Sequence, residues 1–96
     1  MILEVAILDV KAEKITEFEA TFKEASKIIS SMKGYIFHEL KKCMETENRY
    51  ILLVKWETLE DHTVGFRESC EYQEWKALLH DFYDPFPLVE HYESIK

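Results

Sequence analysis

The chain has few residues that break or cross-link a backbone: of 96 residues, two are glycine, two proline and two cysteine. With 47% apolar and 32% charged residues, this shortage excludes disordered and collagen-like classes and predicts one compact domain over residues 1–96. Cys43 and Cys70 stand 27 positions apart with no C-x-x-C pair, so neither a zinc site nor a disulfide framework is expected. Positive charge is also scarce, with 12 Lys and Arg against 19 Asp and Glu and a net charge of -7. Nucleic-acid binding needs clustered cations that displace counterions from phosphate, so DNA, RNA and anionic membranes are discounted as partners. No window approaches the ~18 apolar residues that cross a bilayer, and Met1-Ile2-Leu3-Glu4 lacks the basic start of a signal peptide. A cytoplasmic location is expected. The glycine-rich phosphate loops, H-E-x-x-H and G-x-S-x-G are absent too, which removes the anchors of nucleotide, zincin and serine-hydrolase chemistry.

What the chain has is clear periodicity. Ile2 to Val10 is nearly continuous apolar sequence broken by Glu4 and Asp9, and its length and β-branched content predict a strand. Ile15, Phe18, Phe22, Ala25, Ile29 and Met32 recur at steps of three and four, the stripe of a long helix that Gly34 ends. Tyr35 to Lys42 predicts a second strand, with Tyr35, Phe37, Glu39 and Lys41 on one face and Ile36, His38 and Leu40 on the other. Arg49 to Trp56 predicts a third. Thr58 caps a short helix and Ser69 a further one whose stripe is Tyr72, Trp75, Leu79 and Phe82; Asp84-Pro85-Phe86-Pro87 stops it and Leu88 to Tyr92 closes the chain as a strand.

The order β-α-β-β-α-β is that of an α+β, ferredoxin-like fold, an antiparallel four-stranded sheet with helices on one face. A sheet face open to water produces alternation of apolar and polar residues, and the first and third strands do not alternate. A second copy's sheet packed on the free face explains this, so a homodimer through sheet faces is expected.

Tyr50-Ile51-Leu52-Leu53-Val54-Lys55-Trp56-Glu57-Thr58-Leu59-Glu60-Asp61-His62, then Phe66-Arg67-Glu68-Ser69 and Glu71-Tyr72-Gln73-Glu74-Trp75, resemble the antibiotic biosynthesis monooxygenase family. That family shows a third strand ending in Trp, a His about six positions on, and a Ser-x-x-aromatic step into the next helix. The resemblance implies a dimeric α/β barrel and, in the anthrone and quinol monooxygenases among its members, oxygenation without metal or flavin. Two positions depart from the pattern: Val54 stands where many members have Glu, and Cys70 where Pro is frequent. Haem degradation, known among relatives, is not carried over, because the first strand has no Asn and the His80 spacing does not fit.

Between Trp56 and Tyr92 lie eight of the thirteen aromatics and three of the four histidines, a composition suited to an apolar cavity with a few polar groups. Leu59, His62 and Phe66 share a helical face directed at the sheet. His62 there reads equally as a hydrogen-bonded structural residue or as a base that deprotonates a phenol or carbon acid, the step that makes a substrate electron-rich enough to reduce O2. Phe66, Trp75, Tyr83 and Trp56 are candidates to stack on a flat substrate, with His38 and His80 as secondary polar contacts. His38 also fits a satisfied core or interface role, His80 a solvated one, and His91 is the weakest of the four. Arg67 can stabilise an anionic oxygen, although a helix-end arginine is more often simply solvated. The activity expected from the resemblance is cofactor-independent oxygenation of a small anthrone-, phenol- or quinol-like compound. A non-catalytic ligand-binding or regulatory dimer, and a proton-transfer isomerase on the same scaffold, are the competing readings.

Overall fold

A computed structural model describes residues 1–96. The elements run β1 (Ile2–Asp9), α1 (Ile15–Ile29), β2 (Tyr35–Lys42), β3 (Arg49–Trp56), a π-helical segment (Asp61–Phe66), α2 (Cys70–Leu79) and β4 (Val89–Tyr92). All strand neighbours are antiparallel in the order β2-β3-β1-β4, so the fold is α+β and ferredoxin-like, as the element order predicts. No helix is long and apolar enough to cross a membrane.

The helices cover one face of the sheet. Even-numbered residues of β1 and β3 point there, and Glu4, Ala6 and Leu8 are buried with Tyr50, Leu52, Val54 and Trp56. From α1, Phe18, Phe22, Ala25 and Ile29 pack down onto them. The helix gives way to β2 through Gly34, whose φ of 84° is the left-handed region a side chain resists. A Cβ at Gly34 would stand 2.1 Å from Asp61 Oδ2, so this glycine also lets the β2 entry approach the helical segment after β3.

β2 departs from the predicted pattern. Tyr35 pairs with Trp56 and Phe37 with Lys55, a bulge that makes Ile36 an extra residue. One inserted residue reverses the facing of everything before it. Tyr35 therefore shares the helix-side face with His38 and Leu40, while Ile36 and Phe37 stand exposed.

The second crossover divides as predicted. Thr58 and Asp61 cap each other, the Asp61 N–H donating to Thr58 Oγ1 at 3.1 Å and the Thr58 N–H to Asp61 Oδ2 at 3.2 Å. Ser69 Oγ accepts from the Tyr72 N–H at 3.1 Å and starts α2. Between them the wide π turn buries His62 and Phe66 and leaves Leu59, predicted on the same face, 39% exposed. Its larger circumference rotates residues three apart off a common face.

The opposite sheet face is apolar with nothing over it in a single chain. Leu3, Val5, Ile51 and Leu53 are only half-buried there, and Ile7 is exposed.

Candidate active site

Glu4 is the chemical centre of the helix-side face. An acid in the middle of an apolar strand is costly unless its oxygens find donors, and here Oε1 accepts the Trp56 indole N–H at 2.9 Å and lies 3.3 Å from His62 Nε2. Burial raises the Glu4 carboxyl to about 7, even though the indole hydrogen bond and the positive Arg67 pull the other way. His62 moves down to about 3, first through burial and then through the positive potential of Arg67 and His91. The imidazole is therefore neutral at pH 7, and the Glu4–His62 contact is a close polar approach, not an ion pair.

The chain of contacts continues outward. His62 Nδ1 lies 2.8 Å from His91 Nε2 on β4, and the Trp56 ring stacks on the His62 ring at 5.4 Å with 19° between planes. With Glu4 ionised, the tautomer that suits both neighbours carries its proton on Nε2, turned towards Glu4, and accepts the His91 N–H at Nδ1. Glu4 Oε2, in contrast, takes no hydrogen bond from any protein group, yet no fully buried polar side-chain atom lacks a partner. That oxygen is consequently open to the space beside it.

That space is a cavity of about 310 Å³ between the sheet, the π turn and α2. Glu4, His62 and Phe66 form its inner wall, Trp75 and Tyr83 its sides, and the exposed Phe86 and Leu88 its rim. Arg67, Tyr72 and His80 also reach it. Of the predicted residues, His62, Phe66, Trp75, His80 and Tyr83 are thus brought together around one cavity. Trp56 is not among its lining residues: it has no exposed surface, and it holds Glu4 and His62 from behind. His38 is elsewhere as well, bonded at Nδ1 to the Tyr35 hydroxyl at 2.5 Å and edge-on to Phe22. Its pairing with Val54 puts it on the helix side, against α1.

Glu4 and His91 escaped the sequence reading as members of the site. The signal for Glu4 was present, since a carboxylate interrupting a strand that is apolar at both parities must be buried or misplaced. Register supplies a second signal: Glu4 pairs directly with Val54, the position where the resemblance leads one to expect a Glu. The carboxyl group is delivered to that spot from the neighbouring strand.

A four-stranded antiparallel sheet with a buried carboxyl–imidazole pair facing an aromatic cavity defines a ferredoxin-like α+β scaffold with one candidate site. Comparison with known proteins places it further: the sequence model of the antibiotic biosynthesis monooxygenases matches residues 1–78, and the chain belongs to that family. It is similar to the uncharacterized protein YczJ of Bacillus subtilis, at 61% identity over 99% of this chain and all of that one. A crystal structure from Bordetella bronchiseptica, named for the same family, superposes with a TM-score of 0.93 at 32% identity, covering 99% of this chain and 97% of that one. SnoaB of Streptomyces nogalater, a cofactor-independent oxygenase, shares the fold with a TM-score of 0.86 at 14% identity, over 99% of this chain and 93% of that one.

Proposed function

We propose that the protein is a cofactor-independent monooxygenase of a small aromatic compound with an acidic hydroxyl or carbon–hydrogen bond, and that Glu4 is its base. The observation that carries this reading is the open Glu4 oxygen at a cavity wall, on a carboxyl that burial raises to about 7. A base is most effective when its pKa lies near the working pH. Glu4 takes the substrate proton at Oε2, and His62 and His91 offer that proton a route to the half-buried edge of β4. His62 orients and relays in this scheme. Phe66 and Trp75 flank the substrate ring, and Tyr83, whose hydroxyl burial holds in its protonated form, donates to a substrate oxygen. The deprotonated substrate then passes an electron to O2, and the apolar wall slows reprotonation of the reactive anion.

The family resemblance and the SnoaB likeness favour oxygenation over other fates of that anion. The same base would also serve a proton-transfer isomerase, so the deciding measurement is oxygen uptake. An oxygen electrode with a panel of anthrones and hydroquinones is expected to show uptake equal to product formed, and no product under argon. Conversion that proceeds equally without oxygen would establish an isomerase, and saturable binding without conversion a binding module.

The apolar outer face supports a dimer through sheet faces as the working form, because leaving Leu3, Val5, Ile7, Ile51 and Leu53 wet forgoes roughly 25 cal/mol for every Å² of apolar surface.

A further inference from the structure

Resting on the reading of Glu4 as base, a second polar feature of the cavity bears on what the substrate carries. Arg67 is the one Lys or Arg among the lining residues. Its guanidinium forms no hydrogen bond or ion pair with any protein group, although acids outnumber bases 19 to 12 in the chain. Its neighbours around the cavity are also donors without protein acceptors: the Tyr72 and Tyr83 hydroxyls bond to nothing. Opposite stands the single acid of the lining, Glu4. Arg67 is exposed at the cavity margin, and its charge acts inward: it lowers His62, His80 and His91 and partly offsets the rise of Glu4.

An unpaired guanidinium and two free phenols lining one mostly apolar cavity make a receptor for a planar oxyanion, which guanidinium meets with two parallel hydrogen bonds. A neutral ligand would leave those donors unsatisfied once water is displaced. We infer that the substrate is an aromatic carboxylic acid, whose carboxylate binds Arg67 with Tyr72 and Tyr83 while its ring lies against Phe66 and Trp75. The anionic group is then held away from Glu4, which leaves the carboxylate free to remove a proton elsewhere on the same molecule.

The test is calorimetric titration of the full chain with 2-naphthoate and with 2-naphthamide, which match in shape and differ in charge. Wild type is expected to bind the carboxylate about 10-fold or more tightly than the amide. In Arg67→Gln that preference falls to within about 2-fold with amide affinity unchanged, and Arg67→Lys keeps part of it as a charge without the planar fork. Equal affinity of wild type for the two probes, a preference that persists in Arg67→Gln, or no binding of either probe would overturn the inference. Because no turnover is read, failure of the oxygenase reading would show separately, as anion selectivity without oxygen uptake.

Discussion

Glu4→Gln lowers turnover of an accepted phenol or anthrone by about 10²–10⁴-fold, the usual contribution of a positioned base, while the folded structure survives. The substitution is nearly isosteric, and the Gln side-chain oxygen still accepts the Trp56 indole N–H that Glu4 Oε1 accepts at 2.9 Å. It removes only the capacity to take a proton. Glu4→Ala is the poorer experiment, since it strands the buried indole N–H at a cost of about 1–3 kcal/mol and mixes instability with lost chemistry. Oxygen uptake read beside a thermal melt separates the two: a fall in rate with an unshifted melt supports the base, and a rate within about 3-fold of wild type removes Glu4 from that role.

Val5→Lys is expected to convert the proposed sheet-face dimer into monomers. Val5 pairs with Leu53 on the outer face of the sheet, among Leu3, Ile7 and Ile51. Burying an unpaired ammonium there costs several kcal/mol, and in a two-fold interface the substitution occurs twice. The expected rise in dissociation constant is at least about 10²-fold. Sedimentation velocity at micromolar concentration is expected to give a dimer for the wild type and a folded or partly destabilised monomer for the variant. A monomeric wild type would leave the unalternating strands without an explanation.

Much of the frame was legible because local rules and tertiary demands agree along most of this chain. The Phe18–Phe22–Ala25–Ile29 stripe, the Gly34 stop and the Thr58 and Ser69 caps each name one element boundary, and each is where the periodicity places it. The misreadings have a common cause in features that carry no periodic signal. A bulge at Ile36 is a backbone event, and it turned Tyr35 to the helix side beside His38. A π turn is indistinguishable by residue type from an α turn, and it separated Leu59 from His62 and Phe66. Trp56 followed from the same limit: strand parity puts it on the helix side but does not tell whether it faces a cavity or backs a neighbour. Glu4 was visible yet read as an interruption, because its meaning depends on a strand-pairing register with Val54 and Trp56 that lies 50 or more residues away.

The most direct test is the titration of Glu4 itself, followed by the side-chain carboxyl ¹³C resonances of glutamate-labelled protein between pH 3 and pH 9. Burial predicts one resonance with a midpoint of about 7, absent from Glu4→Gln. If every glutamate resonance instead completes its transition below about pH 5, Glu4 is an ordinary ionised carboxylate, and the base at the cavity wall is lost with it.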